Sequence, residues 1–137
     1  MEKYIIENLK QTQTLAQTFA DTLNVGDIVL LSGDLGAGKT TFTQYVFKHL
    51  GVEGVVNSPT FAVLKTYEAK GIVLNHFDAY RINTPEAIEC GFDEVISARD
   101  GITFIEWSQN IAELLPSDCI KVDITLIHDS REFKITR

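Results

Sequence analysis

The chain has 137 residues, 45% of them hydrophobic and 23% charged, enough for a single domain over residues 1–137 that buries about 68% of its unfolded surface without a metal or disulfide staple. Twelve Lys+Arg against nineteen Asp+Glu give a net charge of −7, and with no basic stripe interleaved with aromatics the surface repels nucleic acid rather than recruiting it. No apolar run reaches bilayer length, the first seven residues carry charges where a signal peptide has its apolar stretch, and Cys90 and Cys119 lack metal or redox spacing, so a cytoplasmic protein with reduced thiols and no membrane contact is expected.

Lys3 to Glu7 reads as a short strand. Asn8 followed by Gln11 has the form of a capping box, and Leu15, Ala16, Phe19 and Leu23 share one helical face until Gly26-Asp27 breaks the helix. Ile28-Val29-Leu30-Leu31 is a continuous apolar run, the pattern of a strand covered on both faces. A glycine-rich segment follows, then a helix from Lys39 to Leu50 with Gly51 as its stop. Phe61 to Tyr67 and Ile72 to Asp78 are β-rich, and the four residues between them predict an antiparallel hairpin. Thr84 is read as an N-cap, with Pro85 in the first turn. Ile102 to Ile105 is a second buried-type strand, and Ser108 to Leu115 a short helix ended by Pro116. The alternation of Ile120, Val122, Ile124 and Leu126, then Phe133 and Ile135, predicts a closing hairpin around His128-Asp129-Ser130.

Gly33-Asp34-Leu35-Gly36-Ala37-Gly38-Lys39-Thr40 fits GxxxxGK[ST] at every fixed position. Glycines let the backbone curl so that successive N–H groups face phosphate oxygens, Lys39 supplies a compact positive charge, and the Thr40 hydroxyl suits magnesium. A random chain of this length matches about once in 200, and the flanking strand and helix make chance rarer still. The fold class follows: α/β, a P-loop NTPase-like three-layer sandwich with a mainly parallel central sheet and antiparallel hairpin additions. The cofactors expected from this loop are a nucleoside triphosphate and Mg2+.

Magnesium in such sites takes a carboxylate from the end of a neighbouring strand. Glu106 ends Ile102–Ile105 and Asp78 ends Ile72–Phe77. Glu106 is preferred on the metal side because its strand looks central. Asp78 is left to orient the attacking water or hold a switch segment, or to be a solvated strand-end carboxylate. His76 alternates with Asp78 and can pair with it, although a lone strand histidine is more often structural. His49 and His128 show no partner spacing. Asn57 to Thr60 is either a segment that senses the terminal phosphate or simply a turn.

Gly33 to Thr41, Ser58-Pro59-Thr60-Phe61, His76-Phe77-Asp78-Ala79-Tyr80-Arg81 and Ile105-Glu106-Trp107 together resemble the TsaE family, bacterial ATPases required for threonylcarbamoyladenosine formation in transfer RNA. The resemblance implies slow intrinsic ATP hydrolysis, action with the transferase subunits TsaB and TsaD, and contact with tRNA only through that complex. It also implies a phosphate cradle of Gly33, Gly36, Ala37, Gly38, Lys39, Thr40 and Thr41, magnesium ligands Thr40 and Glu106, and a role for Asp78 in hydrolysis. Trp107 and Arg131 are implied to lie beside the nucleotide. Phe61 stands where tyrosine is common, and Ala79 replaces a larger apolar residue. Contacts from Asn8 or Thr12 are less well marked. The alternatives are a small-molecule kinase, for which no arginine-bearing lid is present, and a non-catalytic nucleotide switch, for which no guanine-reading NKxD segment is present.

Overall fold

The computed structural model describes residues 1–34, 36–56 and 64–137. The elements run β1 (Glu2–Ile6), α1 (Leu9–Asp21), β2 (Ile28–Ser32), α2 (Lys39–Leu50), β3 (Leu64–Ala69), β4 (Ile72–Asp78), α3 (Thr84–Glu89), α4 (Phe92–Ala98), β5 (Ile102–Glu106), a 3₁₀ segment (Ser108–Leu114), β6 (Ile120–Ile127) and β7 (Ser130–Thr136). They form one seven-stranded sheet ordered β1-β7-β6-β2-β5-β4-β3. The four central strands β6, β2, β5 and β4 are mutually parallel, and β3, β7 and β1 extend the sheet by antiparallel pairing. The expected mainly parallel centre with hairpin additions is found.

Strand alternation divides the core in two. Val29, Leu31, Leu74, Phe104 and Val122 meet α1 and α2 on one face, while Ile28, Phe77 and Ile105 meet α3, α4 and the 3₁₀ segment on the other. The result is three layers, because each central strand is apolar on both sides and needs helical cover on both. Phe104 is fully buried at the centre of the first face, with its ring 5.2 Å from that of Phe47 and 6.4 Å from that of Phe19.

Local chemistry explains the ends of elements, with some departures from expectation. Asn8 caps α1 by accepting the Gln11 N–H, but the Gln11 side chain accepts from Glu7 rather than from Asn8, so the box is shifted by one residue. The N-cap of α3 is Asn83, not Thr84: Asn83 accepts the Glu86 N–H while Glu86 accepts the Asn83 N–H, a reciprocal pair that Thr84 cannot make from inside the helix. The β3–β4 connection is only Lys70-Gly71, both at positive φ, because Glu68 and Ala69 pair within the ladder. The segment after Trp107 is 3₁₀, interrupted at Ile111, rather than a regular helix. Phe61 to Val63, expected to open β3, lie outside the described residues.

Candidate functional site

β2 ends in the middle of the sheet and hands the chain to α2 through the glycine loop. Gly33, Gly36 and Gly38 have φ of +147°, +80° and +109°, conformations open to glycine and rarely to other residues. At Gly33 a Cβ would also stand 2.6 Å from the Ile124 carbonyl oxygen. Gly38 caps α2 without any side-chain hydrogen bond, so among the described residues no side chain accepts from the first-turn amides at the positive end of the helix. That is an anion-binding geometry.

Lys39, the first residue of α2, is 6% exposed. Its ammonium donates to the Gly33 carbonyl at 2.8 Å and lies 4.5 Å from the centre of the Trp107 ring. No carboxylate among the described residues is within ion-pair distance of it. A buried cation without a counter-charge is costly unless an anion arrives.

Parallel pairing sets the two candidate carboxylates side by side: Asp78 at the end of β4 is the register partner of Glu106 at the end of β5, and Glu106 is in turn opposite Leu31 of β2. The strand of Glu106 is therefore central, as expected, and adjoins the loop-bearing strand. Glu106 is buried, with Oε2 2.7 Å from His76 Nε2. The histidine pair expected with Asp78 is instead made with Glu106. Asp78 accepts the Tyr80 N–H at 2.9 Å. Burial raises its pKa above the usual carboxylate range and neighbouring Glu106 adds to the rise, against the Tyr80 amide, His76 and Lys39.

Trp107 follows β5 in the left-handed region at φ +59°, a strained conformation for a bulky residue of the kind found at functional sites. Tyr80 packs against it with ring centres 4.8 Å apart. Asn110 donates to the carbonyls of Ala79 and Tyr80, tying the turn after Asp78 to the segment after Trp107. Ser32 donates to Asp123, joining the end of β2 to β6. Sequence reading singled out neither Asn110 nor Asp123, because a polar residue that bridges two elements carries no local pattern.

Arg131 on β7 reaches the other side of the loop. Its side chain stands next to Gly38, and its Nε is buried without a hydrogen-bond partner among the described residues. A small pocket there is lined by Leu9, Thr12, Gly38, Thr41, Arg131 and Phe133. Of the predicted site residues, Gly33, Gly36, Ala37, Gly38, Lys39, Thr40 and Thr41 form the loop and first turn, with Asp78, Glu106 and Trp107 at the strand ends and Arg131 beyond Gly38. His49, for which no partner was expected, lies 2.8 Å from Asp21. Ser58 to Phe61 lie outside the described residues. No group of three or more His, Cys, Asp or Glu able to hold a metal occurs among the described residues.

Fold and site define a three-layer α/β domain in which a glycine loop, an open helix N-terminus, a buried lysine and paired strand-end carboxylates converge at the C-terminal ends of parallel strands. Residues 6–133 match the model of the family described as threonylcarbamoyl adenosine biosynthesis protein TsaE, and the chain belongs to that family. It is 40% identical over 129 residues to the Rickettsia felis protein named tRNA threonylcarbamoyladenosine biosynthesis protein TsaE, covering 93% of this chain and 74% of that one. It is 37% identical over 135 residues to the Bacillus subtilis protein of the same name, covering 98% and 84%. A crystal structure of Bacillus subtilis YdiB superposes with a TM-score of 0.83 at 32% identity, over 98% of this chain and 83% of that one.

Proposed function

We propose that this protein binds Mg–ATP at the loop from Gly33 to Thr41 and hydrolyses it slowly, as an accessory to threonylcarbamoyladenosine formation in tRNA with TsaB and TsaD. The observation that carries the reading is the buried Lys39 ammonium, which among the described residues donates only to a backbone carbonyl, beside a helix N-terminus whose cap residue is a glycine. The family supplies the pathway, since the relatives' names refer to tRNA threonylcarbamoyladenosine. The described residues include no helix long and apolar enough to cross a membrane, and the work is assigned to the cytoplasm.

The residues present fit a magnesium ion. Magnesium keeps water and phosphate oxygens in its octahedron and needs only one or two protein oxygens, so Thr40 and Glu106 suffice without a dedicated cluster. Bound there, the ion supplies neutralisation of charge on the outer phosphates. The loop amides and Lys39 hold those phosphates in place. Asp78 orients the attacking water, an assignment supported by its raised pKa, which makes it a better proton acceptor than an ordinary aspartate. Arg131 and the pocket with Leu9, Thr12 and Phe133 receive the remainder of the nucleotide, and Trp107 covers the phosphate side. Contact with tRNA is indirect, because a net charge of −7 repels a polyanion at long range.

Steady-state ATP hydrolysis by the chain alone, with TsaB and TsaD, and with both plus tRNA tests the proposal. Stimulation of turnover by the partners is expected. Binding of ATP with no change in turnover would favour a switch, and transfer of phosphate to an added acceptor would favour a kinase.

A further inference from the structure

His76 is fully buried on β4, two residues before Asp78, with its ring edge-on to Phe47. Its register partner on β5 is Phe104. A leucine or phenylalanine would fill this space between aromatic rings without leaving a polar atom stranded. The imidazole does leave one: Nδ1 is buried and has no hydrogen-bond partner among the described residues. What it gains is the contact of Nε2 with Glu106 Oε2 at 2.7 Å, inside a region where Glu106 is itself only 4% exposed.

The stranded atom fixes the direction of that bond. A buried N–H left unpaired is rarer in folded proteins than an underused acceptor. Nδ1 is therefore the ring nitrogen with the lone pair, and Nε2 carries the hydrogen. The Glu106 carboxylate accepts it, at a length typical of charge-assisted bonds.

We propose that His76 is a positioning residue for magnesium: its Nε2–H holds Oε2, fixes the Glu106 carboxylate at the end of β5 and leaves Oε1 as the oxygen free for the ion. This rests on the reading of Glu106 as a metal ligand. Outer partners that orient a liganding group commonly change metal affinity by about 10- to 100-fold when removed.

The test is a magnesium titration of the purified chain with ADP, followed by Trp107 fluorescence, beside calorimetric ADP affinity without magnesium and a melting curve for each variant. His76→Phe keeps the ring and removes the donor; it is expected to raise the magnesium concentration at half-saturation about tenfold or more, with magnesium-free ADP affinity changed less than about twofold. His76→Gln places an amide nitrogen near the position of Nε2 and is expected to stay within about threefold of the parent. Glu106→Gln serves as reference: it should weaken magnesium binding on its own and make His76→Phe silent in its background.

If Glu106→Gln weakens magnesium binding while a folded His76→Phe does not, His76 is a packing residue and the proposal fails with the Glu106 reading intact. If Glu106→Gln has no effect on magnesium dependence, the metal reading of Glu106 falls and takes the proposal with it. If His76→Phe loses ADP affinity equally with and without magnesium, the role is structural and the proposal is overturned. Should His76→Phe not fold, His76→Gln against the shorter His76→Asn decides: rescue by Gln alone supports the proposal, and equal behaviour overturns it.

Discussion

The ammonium of Lys39 stands 4.5 Å from the centre of the Trp107 ring and 2.8 Å from the Gly33 carbonyl oxygen. An indole face and a carbonyl are weak substitutes for a phosphate, and a nucleotide at the loop draws the cation away from both. Trp107, the single tryptophan of the chain, should therefore report binding. Addition of Mg–ADP is expected to change its fluorescence in a saturable way, and an unchanged spectrum at full occupancy would separate Trp107 from the site.

Removing the lysine tests the same cation from the other side. Lys39→Ala is expected to weaken ATP binding by at least about a hundredfold, equivalent to about 2.8 kcal/mol, while the melting temperature holds or rises because a buried charge has gone. Calorimetric titration measures the first and a melting curve the second. Binding by the variant within about tenfold of the parent would contradict the assignment.

Asp78 faces Glu106 across two parallel strands, and its pKa is raised above the unfolded value, chiefly by burial. The folded state thus holds this proton more tightly than the unfolded chain. Stability from that source is present below the unfolded pKa and is lost as pH rises through the folded one. At neutral pH the ionised carboxylate opposes folding. Asp78→Asn keeps an acceptor for the Tyr80 amide and is expected to melt above the parent at about pH 7, with the gain shrinking toward about pH 4. ATP hydrolysis is expected to fall by about a hundredfold or more. Melting curves at the two pH values and steady-state assays read both effects; a variant less stable throughout would point to a structural carboxylate.

The loop has no room for side chains on its β6 side. Gly33→Ala would place a methyl group 2.6 Å from the Ile124 carbonyl oxygen at φ +147°. It is expected to destabilise the protein by about 2–4 kcal/mol and to abolish nucleotide binding. Gly36, with nothing among the described residues within 4 Å of its would-be Cβ, meets chiefly the strain of its positive φ, so Gly36→Ala should destabilise less. Chemical denaturation of both variants gives the comparison, and equal losses would contradict it.

Much of this arrangement was legible in the residue pattern, and the rest was not, for identifiable reasons. The run Ile28–Leu31 marked a strand covered on both faces because central parallel strands have no polar side, and the same argument ranked the strand of Glu106 as central. The glycine spacing marked the loop because few residues tolerate those φ values. Strand order was hidden: that β6 adjoins β2, and so brings Ile124 against Gly33, depends on pairing between distant segments. The His76–Glu106 contact was hidden for the same reason, since alternation pointed only to Asp78 on the same strand. The sequence offers Thr84 as the cap in place of Asn83 because both are good N-caps, and only the reciprocal bond from Glu86 decides between them.

The most direct test of the whole account is a crystal structure of the chain with Mg–ADP. The expected result is phosphate oxygens within hydrogen-bond distance of the amides from Gly36 to Thr41, Lys39 turned from the Gly33 carbonyl to the phosphates, and the ion held by Thr40 and Glu106. Nucleotide bound elsewhere, with Lys39 still on Gly33, would contradict it.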